Sequence, residues 1–198
     1  ETTNEAYALA KITGLKLCQA LRAQYGFDAI SLMPTNLYGP GDNYHLNDSH
    51  VLPALIRKFY EAKKNKAKEV ICWGSGKPLR EFLHSDDLGE ATVFALEKWS
   101  PSLSNAPLDK NGVPLNFLNV GTGKDISIKL LAEEIANIVN FDGEILWDES
   151  KPDGTLKKQL NVQRLKNLGW GPKISLKDGL RSTIKTFESN LIFGNLRL

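Results

Sequence analysis

The feature that most restricts the fold is a helix-period stretch followed at once by a short apolar run that stops at proline and glycine. From about residue 4 to 25, apolar residues recur at Leu9, Ile12, Leu15, Ala20 and Leu21, near the 3.6-residue period of an α-helix, with Thr2, Thr3 and Asn4 as entry residues. After Gly26, Ala29 to Met33 has the length and composition of a buried strand, and Pro34-Thr35-Asn36-Leu37-Tyr38-Gly39-Pro40-Gly41 is expected to be the loop at its carboxyl end. In open α/β sheets that edge is where ligands bind. The pattern recurs downstream. Strands are expected at Val70–Cys72, Phe117–Val120 and Glu144–Trp147, and helices at Leu52–Lys64, Asp86–Trp99, Val162–Leu168 and from Ser175 to about Ser189. Ser127 is expected to cap a further amphipathic helix.

Tyr7 and Lys11 lie one turn apart on one face of the first helix. An ammonium beside a phenol favours phenolate and draws its pKa down from about 10, the condition for a proton donor or acceptor at working pH. The same spacing also fits a boundary aromatic beside a solvated lysine. His50 stands at a helix entry, where the positive dipole end favours the neutral ring, although a lone histidine is more often structural. Lys58 follows two turns later and can face the same cleft. Trp73-Gly74-Ser75-Gly76-Lys77-Pro78 is expected to be a tight turn that projects Trp73 and Arg80; otherwise Trp73 is core and Arg80 pairs with Glu81 or Asp86. With 25 basic and 23 acidic residues the net charge is +2, too small a field to suggest a nucleic-acid partner. No apolar stretch approaches the roughly 18 residues of a membrane span. Cys18 and Cys72 are expected to be buried free thiols, as in a reducing cytoplasm, and no metal-ligand pattern stands out.

The segments YALAK, MPTNLYGPGDN, SHVLPALIRKF, WGSGKPLREFLHSDDL, NVGTG and SKPDGTLKK together resemble the extended short-chain dehydrogenase/reductase family. More narrowly they resemble its members that epimerise and then reduce GDP-4-keto-6-deoxymannose with NADPH. The resemblance implies an α/β fold: the C-terminal part of a doubly wound, Rossmann-like parallel sheet plus a small α/β substrate-binding domain. Residues 1–40 would end the dinucleotide-binding domain and carry the Tyr/Lys helix. Residues 41–198 would mainly bind the nucleotide-sugar, with segments returning to the first domain.

By the same resemblance Tyr7, Lys11 and His50 are catalytic, and Lys11, Pro34, Thr35, Asn36, Leu37 and His50 contact NADP(H). Lys58, Trp73, Arg80 and Asp153 bind the GDP-sugar; Lys58 stands where relatives carry arginine and keeps the charge without the two-pronged grip on phosphate. A homodimer through the Tyr/Lys helix is implied too. The glycine-rich dinucleotide fingerprint is absent from the sequence and is expected upstream, together with a catalytic serine and the cysteine used in epimerisation.

Overall fold

The computed structural model describes residues 4–45 and 48–197, so Thr2 and Thr3, expected at the helix entry, lie outside the described residues. In chain order the elements are α1 (Glu5–Tyr25), β1 (Ser31–Pro34), β2 (Asn36–Tyr38), α2 (Val51–Lys64), β3 (Glu69–Trp73), β4 (Leu79–His84), α3 (Ser85–Lys98), β5 (Phe117–Val120), β6 (Asp125–Ser127), α4 (Ile128–Val139), β7 (Glu144–Asp148), β8 (Lys157–Lys158), α5 (Gln163–Asn167) and α6 (Leu176–Ile192). No helix among the described residues is long and apolar enough to cross a membrane.

The fold is α/β with mainly parallel pairing. β1 pairs in parallel with β5, β3 with β7, and β2 with β4; β4 also takes β8 in parallel and β6 antiparallel. Parallel partners need long crossovers, and the intervening helices supply them. One residue separates β1 from β2. The Thr35 N–H extends the first ladder to the Val120 carbonyl at 3.0 Å, and Asn36 opens the second opposite Phe82. The chain therefore passes from one sheet to another within the motif expected to be a loop.

Two apolar clusters hold these sheets. In the first, Leu52, Leu55, Ile56 and Phe59 of α2 recur at helical spacing and pack with Leu131 and Ile135 of α4, Leu180 and Phe187 of α6, and Val70 and Cys72 of β3. In the second, Leu83, Ala91, Ala95, Trp99, Leu118 and Val120 gather with Leu165 and Trp170, and Ile30 and Leu32 lie against them. Each fully buried leucine or isoleucine contributes about 1.5–3 kcal/mol. β4 serves both clusters, because successive strand side chains point to opposite faces: Phe82 enters the first and Leu83 the second.

α1 is the exception. Leu15, Cys18, Gln19 and Arg22 form one half-buried face, and no residue of the helix is buried. Gln19 donates to Asn116 Oδ1 at 2.6 Å and Arg22 to Asp28 Oδ1 at 2.6 Å, which ties the helix to the body. It ends at Gly26, whose φ of 66° suits a residue without Cβ.

Several sequence expectations shift. Asn36–Tyr38 is a strand rather than loop, and Arg80 belongs to β4 rather than to the preceding turn. Cys72 is buried as expected, but Cys18 is only half-buried because α1 has few neighbours. Ser127 and Ser175 cap α4 and α6. α3 is capped by His84, whose Nδ1 accepts the Asp86 N–H at 3.2 Å.

Candidate functional site

Candidate residues collect at the carboxyl ends of two parallel pairs. β1 and β5 end together at Pro34 and Val120, leading into Thr35 and into Gly121-Thr122-Gly123. Thr35 Oγ1 and Asn36 Nδ2 both donate to the Glu81 carbonyl, at 3.2 and 2.8 Å. These polar side chains, expected to meet a cofactor, are thus engaged within the protein. Pro34 and Leu37 remain exposed beside them, with the backbone of the segment. On α1, Tyr7 is 67% exposed and Lys11 Nζ lies 5.3 Å from its ring centroid, so the helix brings phenol and ammonium together as the spacing requires.

The second pair, β3 and β7, ends at Trp73 and Asp148. Trp73 is not core: it is 69% exposed, with Lys58 Nζ at 5.8 Å and Lys151 Nζ at 5.6 Å from the ring centroid. Lys58 reaches across from α2 and donates to the Ile71 carbonyl at 2.8 Å. Arg80 donates to the carbonyls of Leu79 at 2.8 Å and Thr155 at 2.5 Å, not to the Glu81 or Asp86 carboxylate suggested by its neighbours in sequence.

Asp153, expected to accept from a ligand, accepts from Ser75: the backbone N–H at 2.9 Å on Oδ1 and the hydroxyl at 2.6 Å on Oδ2. These two bonds, with Lys77 and Arg80 nearby, hold its carboxyl below the usual range. Trp73, Lys58, Arg80 and Asp153 thus surround the β3–β4 turn and the loop after β7, giving two cations and a planar aromatic suited to a base and a diphosphate.

His50 is the exposed N-cap of α2 and makes no side-chain cap hydrogen bond. Burial pushes the Asp42 carboxyl up, opposed first by the Asn43 N–H that donates to it at 2.7 Å and then by the charges of His50 and Arg197.

Two residues near the site escaped the sequence reading. Lys151 lies in the SKPDGTLKK segment, where nothing in its spacing distinguishes it from the other loop lysines. Glu81, fully buried, accepts the backbone N–H groups of Thr122 at 2.6 Å, Gly123 at 2.7 Å and Leu160 at 2.8 Å. Its one sequence signal is a carboxylate directly before the apolar pair Phe82-Leu83. Among the described residues, no group of three or more His, Cys, Asp or Glu is arranged to hold a metal ion.

Residues 1–106 match the NAD dependent epimerase/dehydratase family. The chain is 52% identical over 192 residues to a probable GDP-L-fucose synthase 1 of Oryza sativa subsp. japonica, covering 97% of this chain and 55% of that one. It is 50% identical over 191 residues to the GDP-L-fucose synthase of Escherichia coli strain K12, covering 96% and 58%. A crystal structure of a GDP-L-fucose synthetase from Naegleria fowleri bound to NADP superposes with a TM-score of 0.83 at 27% identity, covering 100% of this chain and 59% of that one. The chain spans about half the length of the curated relatives it matches. By the family match over more than half its residues, and by an α/β fold that agrees with it, this chain belongs to the NAD dependent epimerase/dehydratase family.

Proposed function

We propose that this chain supplies the proton-transfer residues and the nucleotide-sugar site of an NADPH-dependent enzyme that converts GDP-4-keto-6-deoxymannose to GDP-L-fucose by 3,5-epimerisation and 4-reduction. What carries this reading is the identity of about half, over nearly the whole chain, to proteins named GDP-L-fucose synthase. Those alignments cover 96–97% of this chain.

The residues present suit the nicotinamide end of the cofactor. Lys11 is an exposed cation beside the phenol, and Pro34 to Leu37 offer an apolar surface and backbone groups at a carboxyl edge. The sequence holds no glycine-rich fingerprint for the diphosphate end. NADPH, when bound, supplies hydride. Tyr7 then gives its proton to the oxygen at C4, with Lys11 steadying the phenol and the nicotinamide ribose. In the epimerisation, a base outside this chain's residues, expected to be a cysteine, removes protons at C3 and C5, and His50 returns them on the opposite face. Lys58 and Arg80 face the diphosphate, Trp73 lines the pocket, and Asp153 stands at its lip, exchanging Ser75 for sugar or guanine donors.

We assign residues 1–40 and the cluster around β1 and β5 to the cofactor lobe, and the cluster of α2, α4 and α6 to the sugar lobe. We further assign α1 to a homodimer contact, since Leu9, Ile12 and Leu17 on it are exposed.

The test is product analysis on the protein from the complete reading frame, given GDP-4-keto-6-deoxymannose and NADPH. One NADPH oxidised per GDP-L-fucose formed is the expected outcome. A product reduced at C4 with C3 and C5 unchanged would make the chain a 4-reductase alone. No turnover of this substrate, with a 4-hydroxy GDP-hexose instead inverted at C4 or dehydrated to its 4-keto-6-deoxy form with no net NADPH consumed, would assign it to a 4-epimerase or a 4,6-dehydratase. Binding of GDP without turnover would leave a nucleotide-sugar binding module.

A further inference from the structure

We propose that Glu81 is a positioning residue that holds the segment Pro34–Leu37 in register with the loop ending at Leu160, and so sets the spacing between cofactor and sugar. The proposal rests on the functional reading only for the identity of those two ligands. The joint itself is made by one residue. Its carbonyl receives the Thr35 hydroxyl and the Asn36 amide, which fixes how that segment turns out of β1. Its carboxylate receives three backbone N–H groups, two from the turn after β5 and one from Leu160.

A buried carboxylate without partners is strongly unfavourable, whereas one ringed by N–H donors is held firmly. The fit is close: a Cβ on Gly121 would strike Glu81 Oε1, so the turn after β5 is shaped around this carboxylate. The preceding residue, Arg80, points to the other face of β4 and reaches Thr155 in the loop after β7. A single step along β4 thus joins the cofactor segment, the turn after β5 and the sugar-side loop.

Glu81→Gln keeps the size but replaces one oxygen with an N–H donor facing N–H donors. It is to be made in the protein from the complete reading frame and followed by amide hydrogen exchange and by NADPH kinetics. Exchange at Thr122, Gly123 and Leu160, whose N–H groups the carboxylate receives, should quicken by about tenfold, the equivalent of one charge-assisted hydrogen bond lost. Exchange at Asn36 and Leu37 should quicken with it, because the backbone carbonyl that holds their segment moves with residue 81. The KM for NADPH should rise by a similar factor in the folded protein.

A purely structural glutamate would lower Tm and the active fraction but leave that KM alone. An unchanged exchange rate across residues 34–37, or quickened exchange with an unchanged KM, overturns the proposal. Should Glu81→Gln fail to fold, Gly121→Ala displaces the carboxylate while keeping its charge, and the same two readouts apply. If the unsubstituted protein neither binds nor oxidises NADPH, the functional reading falls, and the exchange result still decides whether Glu81 orders the segment.

Discussion

An exposed side chain with no hydrogen bond inside the fold is open to a ligand directly, whereas one already engaged, such as Lys58, Arg80 or Asp153, must exchange a partner. Tyr7 and Trp73 meet the first condition, each large, exposed and beside lysine ammonium groups. Thr35 and Asn36 do not, because Glu81 engages their polar atoms. His50 meets it too, standing bare at the entry of α2 with Asp42 nearby. If His50 returns protons in the epimerisation, His50→Gln in the complete protein should slow deuterium uptake from solvent at C3 and C5 by about a hundredfold or more, the usual worth of a general acid. Reduction of an already epimerised substrate should survive. Unaltered deuterium uptake would remove His50 from the mechanism. The pairing of Tyr7 with Lys11 and the turn after Trp73 were legible in the sequence from helical spacing and from glycine and proline, whereas the roles proposed for Lys58, Trp73 and Arg80 come from the resemblance. Glu81 and Lys151 were not legible, because each depends on partners brought close only by the fold, 79 residues away for Glu81 and Leu160.

Among the elements, the loop between β7 and β8 is set by a clasp rather than by packing. Asp153 is fully exposed, yet its two hydrogen bonds from Ser75 join that loop to the β3–β4 turn, and the glycine at 74 leaves room for the carboxylate. Because the folded-state pKa is lowered, the clasp is at full strength above the unfolded carboxyl value of about 3.9 and is lost as pH falls through the lower folded value. Protection of the Ser75 N–H from hydrogen exchange, measured against a free amide at the same pH, should therefore stay high near neutrality and fall only at acid pH. Asp153→Ala should give the low protection already at pH 7 and raise the KM for the GDP-sugar. Ser75 protection indifferent to both changes would mean that the clasp does not order the loop. The long helices were legible from periodicity and their serine caps. β2, β6 and β8 were not, since each is two or three residues long and is defined by its ladder partner rather than by any run of its own.

At the scale of the molecule, the uneven burial of α1 is the main feature. Its apolar residues Leu9 and Ile12 are more than half exposed, and beside β1 an apolar cavity of about 280 Å³ is lined by Ile30, Leu32, Pro34, Leu88, Thr92 and Leu96. Periodicity announced the helix but not which faces it buries, since an apolar stripe looks the same whether it meets its own core or another subunit. If α1 meets its copy, the double substitution Leu9→Glu and Ile12→Glu should convert a dimer to a monomer in light scattering at equal Tm of the body. A protein already monomeric before substitution would contradict that contact.

The central claim is that Tyr7, with Lys11 beside it, gives the proton that completes reduction. Its most direct test is Tyr7→Phe in the complete protein, with NADPH oxidation and solvent deuterium at C3 and C5 followed in one sample. The account predicts that oxidation falls by about a hundred- to ten-thousandfold while deuterium still enters both carbons. Oxidation at the unsubstituted rate would contradict it.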